Sequence, residues 1–457
     1  DNSWENHDAK GIRLRKGNIL NADIELLLKW KTVEQRIHEL VQSGKYKNGL
    51  PKNCVKPDEK TCEKEEKVTV ESGSTADTDT LDFDAVDTAV PMVGDNVATA
   101  ALPKPVNLTN FRLSEDTDSF TQANTFSPKD KFRKNITAIQ TLKKIEEQNR
   151  YATAEEQQIL SGYVGWGGLS DAFDNTKEAW AKEYEELRTV LNDSEYASAR
   201  ESVLNAHYTS PDIIRFIYQV LDRLGFENGN ILEPAMGIGN FFSLLPDKWQ
   251  DSKLYGVELD SISGRIAKQL YPNANIQICG FEKTNFQNDF FDVAIGNVPF
   301  GQYKVSDPAY NKLNFPIHEY FFAKTLDKVR SGGIIIFITS RYTMDKKNSA
   351  ARKYIAERAE LLGAVRLPDT AFKGSANTEA VADILILKKR DRLLAESPDW
   401  VALSETLDGI EINKYFAAFP QMVLGNMKMV SGPFGMRPTC AELPDTLLST
   451  ALSSTLS

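Results

Sequence analysis

Two segments in the second half of the chain combine glycines with carboxylates at a spacing that suits ligand binding. In EPAMGIGNFF, Gly237 and Gly239 permit a turn that comes close to a ligand, and Glu233 points a carboxylate toward the same space. Glu258, in GVELD, follows Gly239 by nineteen residues. That spacing is typical of a carboxylate that accepts hydrogen bonds from both hydroxyls of a ribose. The two segments predict a site for a ribose-containing cofactor.

Both NAD and S-adenosylmethionine contain such a ribose, and the residues around the glycines distinguish them. The third glycine of the dinucleotide fingerprint is absent, because Phe242 stands in its place. Glu233 would also lie beside a pyrophosphate, which a carboxylate repels. A carboxylate at that position suits the cationic amino-acid tail of S-adenosylmethionine. The G-x-G pair alone is weak evidence, since a tight strand-to-helix turn needs glycines in any case.

Two further segments carry polar and aromatic residues where apolar runs end. In CGFEKTNF, the ring of Phe281 either lies on an adenine ring or packs in the core, and Glu282 can reach an adenine amino group. The run FDVAIGN passes into a polar and aromatic tetrapeptide: Asn297, Val298, Pro299 and Phe300. Asn297 also has a purely structural interpretation, as a strand cap.

The elements that would position these residues are short β-branched runs that alternate with helix-length segments from about residue 205. The runs are NILEPA, KLYGVEL, NIQIC, FDVAIGN, GGIIIFITS, GAVRLP and ADILILKK. This alternation predicts an α/β fold with a Rossmann-like, mostly parallel, seven-stranded sheet covered on both faces. No helical pattern separates the last two runs, which predicts an antiparallel hairpin at one edge. In such sheets ligands bind at the carboxyl ends of the strands.

The remaining segments differ from this domain in composition and periodicity. Residues 22–44 have helical apolar spacing and stop at a glycine, and the segment NAHYTSPDII predicts a helix with Thr209 or Ser210 as N-cap and Pro211 in its first turn. The predicted parts are an N-terminal amphipathic helix region (1–44), a poorly ordered acidic linker (45–120), a helical region (121–204), the α/β domain (205–390) and a C-terminal extension toward a further domain (391–457).

Composition limits the kind of protein further. No apolar run reaches the ~18 to 20 residues of a membrane span, and the first residues lack the pattern of a signal peptide, so we expect a cytoplasmic protein. Four scattered cysteines, of which Cys54 and Cys62 are nearest each other, predict neither a disulfide scaffold nor a metal site. The first residue is not Met and the last segment has no closing motif, so we expect a fragment of a longer polypeptide.

The net charge of −10 argues against a surface coated for nucleic acid, but the charge is unevenly distributed. Residues 127–150 cluster basic side chains, among them Lys129, Lys131, Arg133 and Lys134. They form either a solvated helix face or a patch that contacts phosphates. The next segment, YVGWGGLSDAF, has three glycines around Trp166, and a tight structural turn is favoured there over a ligand contact.

The ordered set HYTSP, EPAMGIGNF, GVELD, GNVPF, SGGIIIFITS and RLPDTAF resembles the N6-adenine DNA methyltransferases, particularly the modification subunits of type I systems. A wider resemblance, through SGYVGWGGLSDAF, GNVPFGQYKVSDPAYNKLNFPIHEYFF, ELLGAVRLPDTAFKG and PQMVLG, is to the methyltransferase-like domain of large helicase-containing proteins of conjugative elements and phages, some of them linked to antirestriction. The first covers about 205–390 and the second about 120–430. The chain has no phosphate-loop motif, so a helicase would lie outside it.

This resemblance implies a class I S-adenosylmethionine-dependent fold and an enzyme that methylates a flipped adenine in DNA. The side-chain oxygen of Asn297 and the main-chain carbonyl at 298 would hold the two N–H bonds of the amine, with Phe300 and Phe372 stacking on the base. No metal is implied. The implied cofactor contacts are Tyr208, Thr209, Glu233, Pro234, Gly237, Gly239, Glu258, Phe281, Glu282 and Asn297.

Two positions depart from the family pattern. The family has proline where Val298 stands, and because proline fixes the backbone, we expect a less rigidly aimed carbonyl here. The acidic residue that the family places before Phe281 corresponds to Gly280, and Glu282 is the candidate substitute.

Two other functions fit the same residues. One is a lapsed, methyltransferase-like module that binds DNA or cofactor within a larger antirestriction or helicase protein. The other is methylation of a protein glutamine amide, which uses a similar Asn-Pro-Pro-aromatic arrangement. The basic segment at 129–144 favours DNA over a peptide.

Overall fold

The computed structural model describes residues 46–47, 50–51, 108–113, 126–203, 209–372, 381–406, 408–432, 435–444 and 446–456. The predicted helix at 22–44 and most of the predicted acidic linker lie outside these residues. The chain forms two compact units, Asp1–Asn96 and Val97–Ser457. In the first unit the described residues form an antiparallel pair of short strands, β1 (Tyr46–Lys47) and β2 (Leu50–Pro51).

The second unit contains a seven-stranded sheet with the order β5-β4-β3-β6-β7-β9-β8. Its strands are β3 (Asn230–Glu233), β4 (Lys253–Glu258), β5 (Asn275–Ile278), β6 (Phe291–Asn297), β7 (Val329–Ser340), β8 (Ala359–Arg366) and β9 (Ala382–Lys389). Strands β3 to β7 pair in parallel, whereas β9 runs antiparallel to both β7 and β8. The predicted mostly parallel sheet and its antiparallel hairpin at one edge are therefore confirmed.

Helices cover the sheet, and their first residues explain where several begin. They are α1 (Pro128–Glu147), α2 (Ala154–Leu160), α3 (Ala181–Val190), α4 (Asp193–Ser202), α5 (Pro211–Arg223), α6 (Asn240–Ser243), α7 (Ser261–Leu270), α8 (Ile317–Lys328), α9 (Tyr342–Asp345), α10 (Ala350–Arg358), α11 (Lys414–Ala418) and α12 (Leu448–Ser454). Ser210 is the N-cap of α5 and Pro211 its first residue, as the sequence predicts. Within the described part of the chain, no helix is both long and apolar enough to cross a membrane.

Successive residues of the central strands enter two different cores. Ile295 of β6 and Ile336 of β7 join the cluster that includes α1 and α5. Ala294 and Ile335, one position earlier on the same strands, join the cluster that includes α8 and α10. Side chains alternate between the faces of a strand, so both faces of the sheet are buried. This explains why β6 and β7 are continuous apolar runs in the sequence.

The helical region before the sheet is held together by a buried aromatic cluster. Trp166 is buried, and its ring lies 5.3 Å from that of Phe173 and 6.2 Å from that of Phe132 of α1. The buried amide of Asn135 donates to the Gly165 carbonyl and accepts from the Val164 N–H. The glycine and tryptophan segment is thus a structural turn, which is the interpretation the sequence favours.

The C-terminal segment packs against the end of the sheet through a short antiparallel pair, β10 (Leu403–Glu405) and β11 (Glu411–Asn413), and then forms a longer hairpin, β12 (Gly425–Gly432) and β13 (Gly435–Glu442). The buried Asn413 amide donates to the carbonyls of Met344 and Trp400. At the end of β8, Arg366 is fully buried and forms a two-bond fork with Asp383. These contacts fix the C-terminal segment beside the sheet.

Candidate active site

The carboxyl edge of the sheet brings the predicted residues of three strands together. Glu233 ends β3, Glu258 ends the adjacent strand β4, and Asn297 ends β6 on the other side of β3. A Cβ on Gly296 would lie 3.5 Å from Cγ of Glu233. The end of β6, one residue before Asn297, therefore packs directly against the Glu233 side chain at the end of β3.

The turn that follows β3 requires its glycines. Gly237 and Gly239 have φ angles of 56° and 86°, in the left-handed region. A Cβ on Gly239 would lie 2.5 Å from the ring of Tyr271, whose hydroxyl donates to the Gly239 carbonyl over 2.7 Å. The Gly237 N–H donates to the Glu258 carboxylate over 2.7 Å. The turn thus crosses the end of β4 and joins the two carboxylates into one site.

The carboxyl of Glu233, at the end of β3, is buried, and its pKa differs from that of an exposed carboxyl. It is 2% exposed, and its Oε2 atom has no hydrogen-bond partner among the described residues. Burial, with the nearby charge of Glu258, raises its pKa well above the usual value. A buried carboxylate oxygen without a donor is a ready acceptor for a cationic group.

Glu258 is half-buried and already accepts two backbone N–H groups, from Gly237 and Asp260. Burial, with the charge of Asp260, raises the pKa of the Glu258 carboxyl to about 7. The next residue, Leu259, is 73% exposed although it is large and apolar. An apolar side chain left in water beside a polar site suits the face of an aromatic ligand ring. The sequence analysis missed Leu259, because its exposure depends on tertiary structure.

Replacing Glu258 with glutamine is expected to flatten the pH dependence of stability. In the cofactor-free protein the folded-state pKa is raised, so this carboxyl stabilises the fold below its unfolded pKa, and that contribution is lost as the pH rises through about 7. After solvent screening we expect a loss of about 1 to 2 kcal/mol. Melting temperatures of both proteins from about pH 5 to about pH 8 measure it. If the melting temperatures of the two proteins changed with pH in the same way, the raised pKa of Glu258 would be contradicted.

After β5, the aromatic and acidic residues that the sequence predicts as adenine contacts lie partly in the core. Phe281 is 2% exposed and its ring lies 5.1 Å from that of Phe321, with the Lys324 amine 5.2 Å from its centre. Its ring is therefore part of the core, the alternative that the sequence left open, and contact with adenine stays a prediction. The carboxylate of Glu282 folds back over Gly280, into the space where a side chain on that residue would begin. The carboxylate of Glu282 therefore lies beside Gly280, and its role as the substitute acidic residue stays a prediction.

The tetrapeptide at the end of β6 is held by contacts with β7 and with the core. The Val298 side chain is buried, and its N–H donates to the Ile338 carbonyl of β7 over 3.1 Å. Phe300 is half-buried against the core. Nδ1 of the buried His318 lies 3.0 Å from the Gly301 carbonyl. A carbonyl only accepts, so that nitrogen carries the proton, and burial lowers the pKa of His318 to about 4. His318 was not singled out by the sequence analysis.

Val298 therefore has a backbone anchor that proline cannot form. Its N–H extends the pairing of β6 with β7 by one residue, which offsets the expected loss of rigidity. The Val298 carbonyl accepts no hydrogen bond from a residue that the structure describes.

Changing Val298 to proline is expected to destabilise the fold and not to improve catalysis. The change removes the donor to Ile338 and leaves a strand carbonyl without its bond, at about 1 to 3 kcal/mol. Urea denaturation measures the loss. Val298→Ala is the matched control, because it truncates the buried side chain but keeps the N–H. If the proline variant were as stable as wild type, the backbone anchor would be unimportant.

The remaining predicted site residues differ in burial and position. Thr209, just before α5, and Pro234, just after β3, are both buried. Tyr208 lies outside the described residues. Phe372, in the loop after β8, is buried in the core, so its contact with a base stays a prediction. Within the described residues, no group of histidine, cysteine and carboxylate side chains is arranged to hold a metal ion.

The predicted phosphate patch on α1 is largely engaged within the protein. Lys129 forms an ion pair with Glu183 at 2.6 Å and lies over the ring of Trp180. Arg133 pairs with Asp130, and the Lys134 amine lies 3.6 Å from the centre of the Phe126 ring. Burial lowers the pKa of the Lys131 amine. These contacts favour the solvated helix face, and DNA contact by the patch stays a prediction.

A seven-stranded sheet of this order, with its last strand inserted antiparallel beside the fifth, is the class I S-adenosylmethionine-dependent methyltransferase fold. Residues 241–371 match the family described as Eco57I restriction-modification methylase. The matched segment contains Asn297 and Val298. The predicted resemblance to modification methylases is confirmed.

Two curated relatives and one solved structure give the extent of the similarity. The Defense against restriction protein B of Escherichia phage P1 is 30% identical over 251 residues, which is 53% of this chain and 10% of that protein. The Type II methyltransferase M.CvrRI of Paramecium bursaria Chlorella virus XZ-6E is 37% identical over 94 residues, 20% of this chain and 24% of that protein. A protein described as a class I S-adenosylmethionine-dependent methyltransferase from Listeria monocytogenes is 19% identical, with a TM-score of 0.36, and the match covers 59% of this chain and 90% of that one.

The chain thus spans about a tenth of the phage protein and about a quarter of the viral methyltransferase. The similarity to these relatives concerns one part of each of them.

Proposed function

We propose that this chain is the methyltransferase unit of a larger protein and transfers a methyl group from S-adenosylmethionine to the exocyclic N6 of a flipped adenine in DNA. The observation that carries the proposal is that Glu233 and Asn297 end neighbouring parallel strands at one edge of the sheet. This arrangement supports a site in which an acceptor for a cationic cofactor would lie near two acceptors for an amine.

The cofactor contacts follow from the charges and exposures at this edge. Glu258 accepts from the ribose hydroxyls, as its position after the glycine turn suits. The free oxygen of Glu233 accepts from the amino group of the methionine part. The exposed Leu259 covers one face of the adenine ring, and Glu282 lies over Gly280, where it can accept from the adenine amine. When bound, S-adenosylmethionine supplies an electrophilic methyl group.

The tetrapeptide orients the nucleophile. An exocyclic amine conjugated to a ring is a poor nucleophile, so its lone pair must point at the methyl group. The Asn297 side-chain oxygen and the Val298 carbonyl accept from the two N–H bonds and fix that direction. Phe300 stacks on the base, which offsets part of the few kcal/mol needed to remove it from the duplex. Orientation by preformed acceptors, without a general base, supplies most of the rate.

The test is transfer of labelled methyl from S-adenosylmethionine to duplex DNA, followed by nucleoside analysis of the product. We expect the label in N6-methyladenine. Label in protein glutamine, with none in DNA, would favour the amide alternative and contradict this proposal.

A second candidate is a lapsed module that binds DNA or cofactor without transferring a methyl group. Its support is the similarity to a phage protein named for defence against restriction, together with valine at position 298. This candidate predicts S-adenosylmethionine binding, measured by calorimetry, without label in DNA or protein.

A further inference from the structure

The hairpin formed by β12 and β13 extends from the same edge of the sheet as the candidate site. Val423 pairs in parallel with Arg366, the last residue of β8, and the Leu424 N–H donates to the Arg366 carbonyl over 2.9 Å. The chain therefore leaves the sheet in the direction of β8, which is also the direction of β6. Strand β12 begins one residue later, beyond the carboxyl edge.

The returning strand is attached to the loop that ends in Phe372. The Asp369 N–H donates to the Cys440 carbonyl over 2.8 Å, and the Thr439 hydroxyl donates to the Asp369 carboxylate over 2.6 Å. Cys440 and Thr439 are both buried. The base of the hairpin is thus fixed three residues from Phe372, a residue predicted to contact the substrate base.

Strand register places the two basic residues of the hairpin on one face. Lys428 lies opposite Thr439, and Arg437 lies opposite Val430 two residues farther out. Because pairs two positions apart share a face, both cations lie on the face that Thr439 turns toward Asp369. Both are exposed, and neither forms an ion pair with a residue that the structure describes.

The charge of this segment is opposite to that of the whole chain. No Asp or Glu occurs between Glu411 and Glu442, although the protein carries a net charge of −10. The other face of the hairpin exposes Met429 and Met436, which are 43% and 63% exposed. The hairpin therefore carries cations on one face and apolar side chains on the other. Among the described residues, no helix or strand covers its outer part.

We propose that this hairpin binds the DNA duplex that flanks the target adenine, with Lys428 and Arg437 on backbone phosphates. The inference rests on the proposed function and adds a duplex-binding element to it. The major groove admits a two-stranded ribbon, and methionine side chains can contact base edges or enter a base step. This surface supplies the DNA contacts that the engaged cations of α1 leave missing.

The test is the double change Lys428→Gln/Arg437→Gln, with binding of a fluorescent duplex followed by anisotropy over a range of salt concentrations. Loss of two phosphate contacts should weaken binding about 10- to 100-fold at ~0.1 M salt and make the slope of log K against log salt shallower by about two. The matched control is Lys253→Gln/Lys388→Gln, which removes two exposed cations at the opposite edge of the sheet. The control should bind as wild type.

The outcomes separate this inference from the proposed function. Cofactor affinity, measured by calorimetry, should be the same in wild type and in the hairpin variant. If wild type transfers no methyl group but binds DNA through these residues, the duplex contact stands and the proposed reaction fails. Unchanged affinity and salt slope in the variant overturn the contact even if methyl transfer is intact. The same holds if both double variants weaken binding equally, since the effect then reflects total charge.

Discussion

Replacing Asn297 with alanine is expected to lower the rate of methyl transfer to DNA by about 10²- to 10³-fold, the size typical of removing one preformed polar contact to a reacting group. The side-chain oxygen of Asn297 is one of the two acceptors that aim the amine, and the Val298 carbonyl alone leaves the ring free to turn. Single-turnover transfer at saturating S-adenosylmethionine measures the chemical step. Cofactor affinity should change far less, because Glu233 and Glu258 remain.

Two further variants separate lost chemistry from lost structure. Asn297→Asp keeps acceptor oxygens at the same position, so it should retain more activity than Asn297→Ala. Asn228→Ala makes the same truncation at an exposed position near the start of β3, the opposite edge of the sheet, and should transfer at the wild-type rate. Equal rates for wild type and Asn297→Ala would remove the catalytic role of the tetrapeptide.

The sheet could be predicted from the sequence because its pattern is local. Each run of β-branched residues is buried on both faces, so composition alone marks it, and helix-length segments between the runs imply parallel pairing. The antiparallel position of β9 follows from the missing helix before it. The N-cap at Ser210 follows from the adjacent Pro211.

The site was predictable to the extent that it depends on strand ends. Gly237, Gly239 and Glu258 could be placed from spacing alone, since all follow strands that share one edge. The exposure of Leu259 and the position of the Glu282 carboxylate depend on how loops fold back, which no spacing reports.

The basic segment on α1 shows that ion pairing, too, cannot be predicted from local sequence. Lys129 pairs with Glu183, and Lys143 pairs with Glu195, which is fifty-two residues away in sequence. A run of lysines in a sequence does not reveal which of them have acidic partners brought near by tertiary structure. Lys428 and Arg437 show the opposite: they are nine residues apart in sequence, and strand pairing brings them to the same face of the hairpin.

The buried ion cluster at the end of β8 should be the most sensitive point for stability. Arg366 donates to both oxygens of Asp383 over 2.8 and 2.9 Å, lies 2.8 Å from the Asp345 carboxylate, and covers the ring of Phe416 at 4.4 Å. Burial alone would lower the pKa of its guanidinium, but the two carboxylates hold that pKa above its usual range. The three charges therefore stabilise one another only as a set.

Arg366→Met is expected to lower the free energy of unfolding by about 3 to 5 kcal/mol, because it leaves Asp383 buried without its bonded cation. Asp345 then keeps its ion pair with Arg341, at 3.5 Å. Denaturant unfolding near neutral pH measures the loss. The matched control is Arg188→Met, which breaks an exposed ion pair with Asp193 and should cost about 1 kcal/mol or less.

The pH dependence of this variant identifies the cause. Burial raises the pKa of the Asp383 carboxyl and the Arg366 guanidinium opposes that rise. Without the guanidinium the folded pKa of Asp383 lies farther above the unfolded one, so the variant regains stability as the pH falls and loses it as the pH rises. Adding Asp383→Asn to Arg366→Met removes one of the two charges and should recover part of the loss at neutral pH. A loss that is independent of pH, and that Asp383→Asn does not reduce, would mean that the packing of Arg366 against Phe416 matters more than its charge.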